Sequence, residues 1–94
     1  MDKLIEDHRE EIRRLALLRG ARRVRVFGLR ARGDAGPDSD VDILIDLEKG
    51  RSAFALGGLL MDLQELLGKK VDVVTPAALH PKLRNRIFGQ AIDL

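Results

Sequence analysis

Three aspartates carry the chemistry this sequence could perform. Asp40 and Asp42 stand two residues apart in the run DSDVDILIDL, and Asp72 interrupts an otherwise apolar VDVV. Alternate side chains of a strand share a face, so Asp40 and Asp42 point the same way with Cα atoms about 6.6 Å apart. Two carboxylates so placed can share a divalent cation. Magnesium takes oxygen ligands, commonly one or two carboxylates completed by substrate phosphates. A two-metal centre, with ions roughly 3.5–4 Å apart, calls for a third carboxylate. Asp72 is the candidate, because a lone carboxylate inside an apolar strand is costly unless a cation or a donor meets it. A D-x-D by itself also opens many strands at an exposed end, so the pattern alone leaves both readings open. Asp46 shares the face of Asp42 but lies toward the strand's far end and is expected in solvent, with Asp34 and Asp38 in the preceding loop.

A second candidate group precedes the pair. Gly28 directly follows the strand-like VRVF. A glycine there lets backbone approach a ligand closely, and the amides after it can point at phosphate oxygens. Arg30 and Arg32 follow and could neutralise phosphate charge. The plain alternative is a loop with solvated arginines.

These residues need elements to position them. Leu4, Ile5, Ile12, Leu15 and Ala16 repeat with helical spacing, so a first helix is expected from about residue 2 to Arg19, with Gly20 as its stop. Residues 24–27 read as the first strand, and Gly28–Ser39 as a turn-rich connection in which LRAR forms a short helical turn. Residues 40–47 read as the second strand, with Val41, Ile43, Ile45 and Leu47 on one face and Asp40, Asp42, Leu44 and Asp46 on the other. Ser52 is placed to cap a Leu-rich helix ending at Gly68, although Gly57-Gly58 weakens its first turn. VDVVT forms the third strand, and Pro81 suits the first turn of a last helix reaching about Gln90. The order predicts a small mixed β-sheet flanked by helices, an α/β arrangement in one domain spanning 1–94.

Composition bounds the function. A chain of 94 residues has a modest core and would gain from a partner subunit, a second copy included. There is no cysteine, which rules out disulfides and thiolate metal sites. No apolar run approaches the roughly 18 residues of a membrane span, and the charged MDKLIEDHREE lacks the core of a secretion signal. The expectation is a soluble cytoplasmic protein. Arg19, Arg22, Arg23 and Arg25 are expected as a solvated basic edge, and the absence of Tyr and Trp for base stacking disfavours nucleic acid as a partner. His8 and His80 have no metal-ligand spacing, and His80 is placed to cap or border the last helix. Most of the Leu-rich helix should be core, and part of it could face a partner.

In combination the motifs are specific. Gly28-Leu29, a ten-residue spacer and Asp40-Val41-Asp42 match a G-S, spacer, D-x-D signature, and FGLRARGDAGPDSDVDILIDLEKG and LLGKKVDVVTPAALHPKLRNRI extend the likeness over nearly the whole chain. Here the chain resembles the DNA polymerase beta-like nucleotidyltransferases, and especially their minimal prokaryotic members. The resemblance implies that Asp40 and Asp42 bind magnesium, two ions in all, and the triphosphate of ATP. It implies that Asp72 is the third carboxylate and helps activate an acceptor hydroxyl. Gly28, Leu29, Arg30 and Arg32 would lie at the phosphates, and Ser39 would border the site. It further implies AMP transfer to a protein hydroxyl, with a small helical HEPN-type toxin as partner and acceptor and this chain as antitoxin. The chain departs from the signature where Leu29 replaces its serine, since leucine cannot donate a hydrogen bond to phosphate. That departure raises a second reading, an antitoxin acting by binding alone.

Overall fold

The computed structural model describes residues 1–94. Two helices open the chain, α1 (Lys3–Asp7) and α2 (Arg9–Leu18), followed by β1 (Ala21–Phe27) and the short α3 (Gly28–Arg32). Then come β2 (Val41–Leu47), α4 (Ala53–Leu67), β3 (Val71–Val74), a 3-10 turn (Pro76–Ala78), α5 (Pro81–Gln90) and β4 (Ile92–Asp93). The four strands form one mixed sheet in the order β3-β2-β1-β4. β1 pairs antiparallel with both β2 and β4, while β2 and β3 run parallel, joined by the crossover helix α4.

The predicted first helix is broken at His8, whose φ of −116° and ψ of 12° leave the helical region. Its Nδ1 lies 2.9 Å from the Leu4 carbonyl, an orphan acceptor of α1. β1 starts three residues earlier than its apolar run because Ala21 and Arg23 still pair with β2. β4 was not expected at all: two residues give no periodicity, and they become a strand only by pairing with Arg25 and Val26. Ser52 occupies the N-cap of α4 without a side-chain hydrogen bond, so its expected cap is a matter of position only. His80 does cap α5, its Nδ1 accepting from the Lys82 amide at 3.1 Å.

One face of the sheet builds the core. Val26, Val41, Ile43, Ile45 and Val71 pack with Ile5, Ile12 and Ala16 of the first helices and with Leu59, Leu63 and Leu67 of α4. The alternation in β2 holds on this side. On the opposite face, which also carries the aspartates, Leu44 is fully buried. It pairs across the ladder with Arg25, whose guanidinium lies under the ring of Phe88 from α5, 5.2 Å from the ring centroid. That second face is therefore covered in its middle and open toward the Asp42 end.

Candidate functional site: an acidic strand end over a glycine turn

The sheet places the acids through its register. Asp42 of β2 pairs with Phe27, the last residue of β1, on one side and with Asp72 of β3 on the other. Parallel pairing in register puts Asp42 and Asp72 side by side on the same face. Gly28 follows Phe27 with a φ of 72°, in the left-handed region that favours glycine. A Cβ on Gly28 would collide with the carboxylate oxygen Oδ2 of Asp42. Gly28 thus serves two needs, the backbone conformation of the turn and the space for the carboxylate above it.

Asp40 lies just outside β2, one residue before its first paired position. Its backbone is held on both sides: the Ser39 carbonyl accepts from Arg30, and the Val41 amide donates to the Lys70 carbonyl at 2.9 Å. Its carboxylate is about half exposed and sits 3.9 Å from Lys70 Nζ. Asp42 is half-buried, and burial, then Asp72, then Asp40 push its carboxyl above the ordinary carboxylate range. The three acids are thus close enough to act on one another. No three His, Cys, Asp or Glu side chains converge tightly enough to form a metal cage by themselves. Lys70 Nζ faces Asp40 from outside the group.

The donor set nevertheless fits magnesium. It is all oxygen, it is incomplete as six-coordination requires when phosphates and water supply the rest, and the missing Gly28 side chain lets the Asp42 carboxylate lie directly against the turn.

The arginines depart from expectation. Arg30 was expected at phosphate, but its side chain is only 4% exposed. Its guanidinium donates to the Ser39 carbonyl at 2.7 and 3.2 Å and to Asp2 Oδ1 at 3.1 Å, so it is committed to the fold. Arg32 stays exposed, 3.6 Å from Asp34. Leu29, at the start of α3, is 42% exposed beside the turn, and Ser39 Oγ accepts the Gly36 amide at 2.9 Å. The basic edge is paired as well as solvated: Arg19 binds Asp62 and Arg23 binds Asp93 while both stay about half exposed, Arg22 is exposed, and only Arg25, which faces Asp46, is buried. Asp46, expected in solvent, is half-buried because it is the partner of Arg25. An arginine in a β-branched run such as VRVF was the available signal for that buried pair.

A family model described as a nucleotidyltransferase domain matches residues 5–94. The chain belongs to this nucleotidyltransferase family. A Methanocaldococcus jannaschii protein provisionally named a protein adenylyltransferase is 38% identical over 90 residues, covering 96% of this chain and 97% of that one. Protein adenylyltransferase MntA of Thermococcus cleftensis is 33% identical over 92 residues, covering 98% and 90%. A solved structure provisionally described as a minimal nucleotidyltransferase superposes with a TM-score of 0.89 at 42% identity, over 100% of this chain and 97% of that one. A toxin–antitoxin structure solved with AMP-PNP shares the fold at a TM-score of 0.77 and 21% identity, covering 89% of this chain and 69% of that one. The nucleotidyltransferase fold expected from the motifs is therefore the observed one.

Proposed function

We propose that this nucleotidyltransferase uses magnesium and ATP to transfer AMP to a hydroxyl of a partner protein, a HEPN-type toxin that it thereby neutralises. The observation that carries the reading is the pairing of Asp42 with Asp72 above the Gly28 turn, with Asp40 near enough to add its charge. The protein adenylyltransferase names of its relatives support the acceptor class.

In this reading the acceptor oxygen attacks the α-phosphorus in line, a phosphorus–oxygen bond forms, and the bond from the α-phosphorus to the bridging oxygen breaks. Pyrophosphate carries away that electron pair. Bound magnesium would neutralise the triphosphate and steady the leaving oxygen. Asp40 and Asp42 hold the ion side of the nucleotide. Asp72, the most exposed of the strand acids at this end, accepts the acceptor's proton and passes it to solvent. The amides after Gly28 offer donors to the outer phosphates. Positioning and charge neutralisation provide most of the rate.

The test is to incubate the protein with magnesium, ATP and the product of its neighbouring gene and to weigh that product. Added AMP that is lost with Asp40→Ala supports transfer, and an unchanged mass rejects it. Leu29 favours a second reading, neutralisation by occlusion. Tight toxin binding that survives Asp42→Ala, with no nucleotide bound in calorimetry, would establish it. No helix is long and apolar enough to cross a membrane.

A further inference from the structure

We infer that Arg30, anchored by Asp2, is a positioning residue that sets the place of Asp40 and through it the affinity of the site for magnesium nucleotide. The inference rests on the functional reading above and concerns residues that reading leaves unused.

Asp42 and Asp72 are fixed by the β-ladder, but Asp40 is not, because β2 begins at Val41. What holds the chain before it is Arg30. The Arg30 side chain is buried, and its Nη2 reaches the Ser39 carbonyl at 2.7 Å and the Gly36 and Pro37 carbonyls at 3.5 Å. Nε adds a second bond to the Ser39 carbonyl at 3.2 Å. The loop closes on itself as well, since Ser39 Oγ accepts the Gly36 amide and the Ser39 amide donates to the Gly36 carbonyl. One planar guanidinium thus gathers three carbonyls of the segment that delivers Asp40, a geometry lysine cannot reproduce with a single ammonium.

A buried guanidinium needs a counter-charge. Asp2 supplies it: Oδ1 accepts from Arg30 Nη1 at 3.1 Å while Oδ2 accepts the Ile5 amide at the start of α1. Its side chain is only 13% exposed. The line of contact therefore runs from the first helix, through Asp2 and Arg30, to Ser39 and Asp40. Partners one step behind metal ligands commonly govern metal affinity by about 10–100-fold.

The test titrates the whole protein with magnesium and a non-hydrolysable ATP analogue in a calorimeter, comparing wild type with Arg30→Lys, Asp2→Asn and Asp40→Ala. Asp2→Asn retains an N-cap oxygen and removes only the charge, so it keeps the test open if Arg30→Lys does not fold. The expected result is a loss of about tenfold in affinity for Arg30→Lys and a smaller loss for Asp2→Asn. Hydrogen exchange should rise at residues 36–41 and stay unchanged in α4. The loss from Arg30→Lys should vanish in the Asp40→Ala background, because positioning acts only through Asp40. A loss of the same size in that background would mean Arg30 meets phosphate directly and would overturn the inference. So would a folded Asp2→Asn protein with wild-type affinity and exchange. If wild type binds no magnesium nucleotide, the functional reading fails and takes this inference with it. If wild type binds and the variants match it, the tether alone is refuted.

Discussion

Asp42 carries a charge that the fold would be more stable without. Burial and the neighbouring negative charges of Asp72 and Asp40 raise its carboxyl above the ordinary range. The folded state therefore holds the proton more tightly than the unfolded chain does. Its stabilising effect is fully present below the ordinary carboxylate value and is lost as pH rises through the raised one. At neutral pH the ionised side chain is a cost, so Asp42→Asn should raise the melting temperature. Solvent screening limits the gain to about 0.5–1 kcal/mol, which is several degrees in a domain of this size. Melts at neutral and acidic pH check the sign, since the advantage of Asn should shrink in acid. The same variant should lose magnesium nucleotide, and a stable variant that still binds would remove Asp42 from the site. Leu29 makes the opposite kind of prediction. It is 42% exposed, so Leu29→Ser should cost little stability. A recovered hydroxyl bond is worth about 1 kcal/mol, or roughly fivefold in nucleotide affinity, read by calorimetry. Unaltered affinity would show that the backbone amides after Gly28 suffice.

At the scale of elements, α4 joins the layers through a contact its sequence hides. Arg19, at the end of α2, reaches across α4 to Asp62 at 2.9 and 3.2 Å, and it passes over Gly58. A Cβ on Gly58 would strike that guanidinium, whereas one on Gly57 would meet open space. Two adjacent glycines, equal as helix weakeners, therefore differ in consequence. Gly57→Ala should stabilise by about 0.5–1 kcal/mol from propensity. Gly58→Ala should gain less, because the Arg19 guanidinium must shift from its place over that glycine. The hydrogen bond from Arg19 holds the Asp62 carboxyl below its usual range, so its stabilisation is present above the ordinary value and is lost as pH falls through the lowered one. An NMR titration should find Asp62 moved toward its ordinary value in Gly58→Ala and unmoved in Gly57→Ala. The apolar periods of β1, β2 and α4 were legible because each packs one stripe against the core, whereas α5, which buries no residue, was legible only through Pro81 at its first turn. Gly28, Asp42 and Asp72 were legible because a glycine bend and charges in apolar strands are locally improbable. Arg30 was misplaced because a burying partner 28 residues away, Asp2, leaves no local trace. The same holds for Asp46 under Arg25, and for β4, which only its neighbour makes a strand.

Over the whole molecule, one sheet face is spent on the core and the other carries the acids at its open end. The chain's net charge is +2, but most of its clustered arginines are tied to aspartates within the fold. Charge attraction alone would let a triphosphate settle on the exposed Arg22 edge, without a metal and far from Asp42. The functional reading instead demands that nucleotide and magnesium stabilise the fold together. A ligand held only by the native state adds about 2.7 kcal/mol at a hundred times its dissociation constant. For a domain of this length that is roughly ten to twenty degrees in melting temperature. Thermal melts of the full chain should show that rise with magnesium and a non-hydrolysable ATP analogue together, and a much smaller one with either alone. A chelator should abolish it, and Asp42→Asn should not show it. Added salt should weaken it less than it weakens binding to exposed arginines, which are fully screened. An equal rise in Asp42→Asn, or one indifferent to the chelator, would place the nucleotide on the arginines and leave the aspartate pair without its ligand.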